Sequence, residues 1–172
     1  VIPRNHLVEL ALEKSINGNF NQLDNLFSDY LPAVEGDKVI QIGTTCQKYG
    51  ESECFLKHII TLKSCDNWAK DDPNLIVESY ETEKEVLLAW KRFINRLDPD
   101  IILGYNIFGF DFAYMYHRAE ELGIEMEFSL ISRMKDTEAE LINKQLASSA
   151  LGDNNMYYMN MIGVVLIDLI KV

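Results

Sequence analysis

The sequence predicts an α/β domain built on a central mixed sheet, and three observations carry that expectation. Short β-branched or apolar runs alternate with stretches of helical spacing. One of the helices, residues 83–97, opens on a full capping-box pattern, Thr82 with Glu85 three residues on. Between that helix and the next lies a continuously apolar tripeptide, Ile101-Ile102-Leu103, the pattern of a strand buried on both faces of a sheet.

Taken in order, residues 5–16 read as a short amphipathic helix. Asn5 can cap it, Leu7, Val8, Ala11 and Leu12 share a face, and Gly18 follows. Further helical turns through Leu23, Leu26, Phe27 and Tyr30 run to Pro32, so residues 1–35 form a helical preface or insertion. Polar Glu35-Gly36-Asp37 separates it from the domain proper, residues 36–172. Residues 39–45 (VIQIGTT) form a strand and residues 55–62 (FLKHIITL) its partner, with a turn at 48–53. A polar loop at 66–74 leads to a third strand at 76–80. Behind Thr82, the apolar residues Val86, Trp90, Phe93 and Leu97 recur at helical spacing until Asp98-Pro99 stops the helix. The strand 101–103, a loop at 104–109 and a helix at 110–122 follow, the helix ending at Gly123. Residues 125–155 alternate between polar helical patches and loop. Residues 156–159 and 164–170 are expected to close the chain as a β-hairpin around 160–163.

Bulk properties narrow the function classes. The chain has 172 residues, enough for one domain with a real core. Sixteen basic residues against 27 acidic ones leave a net charge of −11, which argues against a broad nucleic-acid footprint on this piece. It does not argue against a nuclease site, because such sites are built from carboxylates that hold divalent metal. The longest apolar runs are far short of a membrane span, and the N-terminal residues show no signal-peptide pattern. Three widely spaced cysteines, Cys46, Cys54 and Cys65, make no C-x-x-C pair and point to a reducing, intracellular setting. The chain starts without Met and stops inside an apolar run, so both ends read as cuts and the domain as incomplete at both.

The chemistry concentrates in residues 100–116, DIILGYNIFGFDFAYMY. A buried strand would deliver Gly104, Tyr105 and Asn106 to the C-terminal edge of the sheet, where open α/β sheets place ligands. Asp111 falls in the first turn of the next helix, where the helix dipole favours an ionised carboxylate. On that helix Phe112, Met115 or Tyr116, Ala119 and Leu122 form the core stripe, and Asp111 sits beside it, facing a cleft. Asn106 offers a donor and an acceptor to a phosphate or sugar, and Phe108 a surface on which a base can stack. The same residues also suit an ordinary helix start and turn, and their physical chemistry alone leaves that reading open.

The whole string closely resembles the second exonuclease motif of family B DNA polymerases. The resemblance rests on Tyr105-Asn106, a spacer Ile107-Phe108-Gly109, then Phe110-Asp111 with Tyr114 three residues later. Asp98-Pro99-Asp100-Ile101-Ile102 and Arg118-Ala119 look like the family as well, and Val39-Ile40-Gln41-Ile42-Gly43 resembles the second strand of its exonuclease sheet. The region from Ser148 to Tyr158 with Asp168-Leu169 is similar to the approach to the third motif. The flanks are most similar to polymerases of large nucleocytoplasmic DNA viruses and of the eukaryotic replicative type, which would place the protein in a host cytoplasm or nucleus. The resemblance implies a ribonuclease-H-like fold and two-metal phosphodiester hydrolysis with Mg²⁺ or Mn²⁺. Asp111 would be a catalytic, metal-ligating carboxylate, and Tyr105, Asn106 and Phe108 would contact the single-stranded primer end. The remainder of the polymerase chain would be a further partner.

The pattern is not complete here. The family draws four carboxylates from three motifs, and nothing in residues 1–38 fits the first, an Asp-x-Glu on the preceding strand. Asp136-Thr137-Glu138 has the right letters but lies after the second motif, in what reads as a surface helix. Tyr157 and Tyr158 lack the Asp of the third motif, and Asp168 resembles a structural position. Val164 stands where many relatives carry Arg. This chain alone is therefore expected to hold no metal and to be inactive. Trp90 reads as core, Trp68 as a loop residue of open role, His117 as a solvated helix residue, and Lys91-Arg92 as too small for a DNA patch. Two further readings are a stand-alone DEDD-type nuclease and a non-catalytic α/β interaction module.

Overall fold

The computed structural model describes residues 35–66, 71–148 and 152–170, together with the helical residues Glu9, Leu12 and Glu13. The chain divides into two compact units, Val1–Gly36 and Asp37–Val172, and the second contains all the described strands. The helices expected at 5–16 and 23–30 otherwise lie outside the described residues, as does Trp68.

Strands β1 (Gln41–Cys46), β2 (Leu56–Leu62) and β3 (Leu75–Tyr80) form a mixed sheet in that order. β1 pairs antiparallel with β2, and β2 parallel with β3 at the register His58↔Ile76. Helix α1 (Glu83–Leu97) covers this sheet. Its start is the expected capping box: the Thr82 hydroxyl accepts from the Glu85 N–H, and the Glu85 carboxylate accepts from the Thr82 N–H at 2.9 Å. Asp98 ends it in a left-handed conformation, φ 49°, ahead of Pro99.

The α1 stripe Val86, Leu87, Ala89, Trp90, Phe93 and Ile94 is buried against β2 and against helices α2 (Asp111–Glu121) and α3 (Glu125–Ser129). Phe93 stacks on His58 at 4.0 Å and Trp90 on Phe128 at 6.2 Å between ring centroids. From α2 come Phe112, Met115 and Ala119, the expected stripe. Burying each large side chain of this cluster stabilises the domain by roughly 1.5–3 kcal/mol relative to exposure.

Several expectations are overturned. β4 (Ile101–Gly104), expected inside the mixed sheet, pairs instead in parallel with β7 (Val165–Asp168). It is not buried on both faces: Ile101 and Leu103 are 49% and 59% exposed while Ile102 faces the core. The expected terminal hairpin does not form either. Its first half belongs to β6 (Gly152–Asn160), which pairs antiparallel with β5 (Glu140–Ser148), a strand read from sequence as polar helix and loop. Residues such as Asn143, Lys144 and Gln145 carry little intrinsic strand preference, and cross-strand pairing over nine positions overrides it. Asp136-Thr137-Glu138 is no helix but the exposed lead-in to β5, with Asp136 at φ 56°.

Candidate active site

Parallel pairing of β4 with β7 sets Gly104 opposite Asp168, and the chain leaves the sheet at that point. Residues 105–110 then turn back into α2. The turn is closed by the Asn106 carbonyl, which accepts from the N–H groups of Gly109 and Phe110, each at 3.0 Å. Asn106 itself is left-handed, φ 60°, a conformation that asparagine tolerates better than most residues.

Two glycines are required by close approach. A Cβ on Gly104 would lie 2.6 Å from Ile107 Cγ2, and one on Gly109 2.2 Å from Asn106 Oδ1. The loop is thus folded tightly on itself, with the Asn106 amide lying over Gly109.

Asp168 resembles a structural position in sequence, but not one holding this loop. It is 2% exposed, and its carboxylate accepts from three backbone N–H groups: Asn106 at 2.8 Å, Phe108 at 2.9 Å and Ile170 at 3.0 Å. An aspartate closing an apolar strand was the available signal; its loop partners lie sixty or more positions away in sequence.

Asp111 opens α2 and is exposed, while its neighbour Phe112 is 2% exposed, so the helix turns the carboxylate outward as the stripe requires. Tyr105 is 71% exposed, and Asn106 and Phe108 are half-buried. All four expected site residues therefore lie on one loop and the helix start that follows it.

Phe108 is less free than its sequence suggests. Its ring packs on Tyr158 at 5.9 Å, and its carbonyl accepts from the Tyr157 N–H at 2.7 Å. Together with Lys144, Met156, Tyr158 and Val164 it lines a cleft of ≈280 Å³. Phe110, which sequence reasoning did not single out as a binding residue, is more exposed than Phe108; it stacks on Tyr114 at 5.0 Å. Tyr114 in turn donates to the Asp37 carbonyl at 2.6 Å, tying α2 to the segment ahead of β1.

A buried ion pair fixes α2 near its C-terminal end. Arg118 Nε and Nη2 donate to the two oxygens of Glu83 at 2.8 and 2.6 Å, and Glu83 also accepts from the Val39 N–H at 2.8 Å. Burial pushes the Glu83 carboxyl up, but the Arg118 and Val39 hydrogen bonds outweigh it and hold the group below the ordinary glutamate value. Arg118 further pairs with Glu121.

The described residues do not fit a divalent metal centre by themselves. Among them no three His, Cys, Asp or Glu side chains are placed to hold an ion, and Asp111 alone supplies too few anionic oxygens. His117, exposed, pairs with Glu120 at 2.8 Å rather than with Asp111.

An exposed acidic residue thus stands at a helix start behind a pinned strand–loop turn in an α/β domain. Residues 24–172 match the family described as DNA polymerase family B, exonuclease domain, and the chain belongs to that family. It is 45% identical over 162 residues to a DNA polymerase of Pyramimonas orientalis virus, covering 94% of this chain and 13% of that protein. It is 42% identical over 123 residues to the DNA polymerase delta catalytic subunit of Arabidopsis thaliana, covering 72% of this chain and 11% of that protein. With the delta catalytic subunit of Dictyostelium discoideum it shares 36% over 140 residues, 81% of this chain and 12% of the relative. The chain thus corresponds to a small part of each of these relatives.

Proposed function

We propose that this segment serves the 3′→5′ proofreading exonuclease of a family B replicative DNA polymerase, within a ribonuclease-H-like domain. Asp111 supplies one metal-ligating carboxylate, and residues 105–110 grip the single-stranded primer end. The observation that carries this reading is the exposed carboxylate directly behind a loop whose backbone is fixed at both Asn106 and Phe108. Divalent ions, Mg²⁺ or Mn²⁺, would activate water and stabilise the leaving oxygen only once further carboxylates of the polymerase complete the site. The chain's own contribution is placement: Tyr105 and Phe110 offer aromatic faces to unstacked bases, and Asn106 a polar contact. Such work goes on wherever the genome is copied, inside the cell; among the described residues no helix is long and apolar enough to cross a membrane.

The test has two arms. In the polymerase that contains this segment, Asp111→Ala should abolish removal of a mismatched primer end while leaving the melting temperature nearly unchanged, because the side chain is exposed. The 172-residue chain alone should not degrade a fluorescent single-stranded oligonucleotide with Mg²⁺ or Mn²⁺. Degradation by the chain alone that Asp111→Ala abolishes would refute the shared-site reading.

A further inference from the structure

We propose that Asp168 is the positioning residue of this site, holding the loop in the shape that receives a DNA end; the assignment rests on the proofreading reading above. β7 is otherwise apolar, with Val165, Leu166 and Ile167 ahead of Asp168 and Leu169 after it. A carboxylate buried to 2% exposure in that setting is costly unless donors surround it. The donors described for it are backbone N–H groups, and two of the three belong to the candidate DNA-binding residues.

The division of labour between its oxygens is specific. Oδ1 accepts from Asn106 and Ile170, and Oδ2 from Phe108. The turn is therefore clamped on both sides of Ile107, whose methyl group occupies the space that a Cβ on Gly104 would fill. A carboxylate is acceptor-only and so complements three N–H groups. An amide at the same place would turn one NH₂ toward an N–H and release one side of the clamp. Asp111, by contrast, rides on α2, which is anchored by its core stripe and by Arg118–Glu83. Loss of the Asp168 clamp should thus weaken the grip on substrate more than the placement of the catalytic carboxylate.

The test uses the polymerase that contains this segment, with Asp168→Asn and Asp168→Ala. Amide exchange in residues 104–110 should quicken by roughly tenfold in Asp168→Asn, the equivalent of about one hydrogen bond, and by more in Asp168→Ala. The KM for a single-stranded oligonucleotide should rise by about tenfold with kcat held within about twofold, the signature of lost uniform binding. Protection in residues 83–97 and 112–121 should persist. Unchanged exchange in 104–110, or a fall in kcat with KM unmoved, would overturn the proposal. So would loss of protection throughout 83–97 in the isosteric Asp168→Asn, which would make Asp168 merely a core residue. If the unaltered polymerase fails to degrade the oligonucleotide, the proofreading reading falls, and amide exchange alone then decides whether Asp168 clamps the loop.

Discussion

Arg118→Met is the substitution that most directly probes how the site helix is held. The guanidinium and the Glu83 carboxylate are 2% and 3% exposed, so removing one partner strands the other charge in the interior. Breaking a buried pair of this kind costs about 3–5 kcal/mol. For a domain of this size that corresponds to a fall in melting temperature of roughly 6–20 °C. Lys63→Ala is the control. Its pair with Glu81 is as short, 2.6 Å, but the side chains are 64% and 80% exposed, and its loss should cost less than about 1 kcal/mol. Urea and thermal unfolding followed by circular dichroism measure both. The double change Arg118→Met with Glu83→Leu should recover much of the loss, because no buried charge is then orphaned: Glu121, the other partner of Arg118, is 38% exposed, though the Val39 N–H forfeits its acceptor.

Acid sensitivity follows the same pair. The folded Glu83 carboxyl sits below the unfolded one, so its contribution is complete above the ordinary glutamate range and fades as the pH falls through the lowered value. Arg118→Met should flatten that limb of the stability curve. A loss under about 1 kcal/mol for Arg118→Met, or one matched by Lys63→Ala, would refute the reasoning.

Two further outcomes are expected. Thr82→Ala removes one half of the capping box and should lower stability by about 1 kcal/mol, read as a shift in the urea midpoint at constant slope. Gly109→Ala places a Cβ against the Asn106 amide rather than against backbone, so Asn106 can rotate away. If residues 105–110 grip a DNA end as proposed, oligonucleotide affinity should therefore drop while the melting temperature moves by no more than a few degrees, as fluorescence anisotropy and calorimetry would show.

Much of this domain was legible along the chain, and the reason differs from element to element. Helix α1 agrees with its expected bounds because its cap, its apolar period and its Asp-Pro stop are all local and all point the same way. In residues 100–116 the order strand, loop, helix was legible from local pattern, whereas the strand's partner, β7 some sixty residues on, was not. β5 was not legible, since its polar residues become strand only when β6 lies alongside. The expected hairpin of 156–170 failed for a related reason: adjacency in sequence suggested that its two halves pair, whereas β6 pairs with β5 and β7 with the distant β4.

The sequence by itself singled out the residues proposed to carry the chemistry, because Asp111, Asn106 and the two close-packed glycines are short-range features of one strand–loop–helix. Only the tertiary structure decided what holds them. Asp168 reaches the loop from a strand some sixty residues on, Arg118 reaches Glu83 from another helix, and Phe108 is drawn against Tyr158. Hydrogen bonds to a buried charge depend on geometry between distant segments, and no local pattern of residues records that geometry.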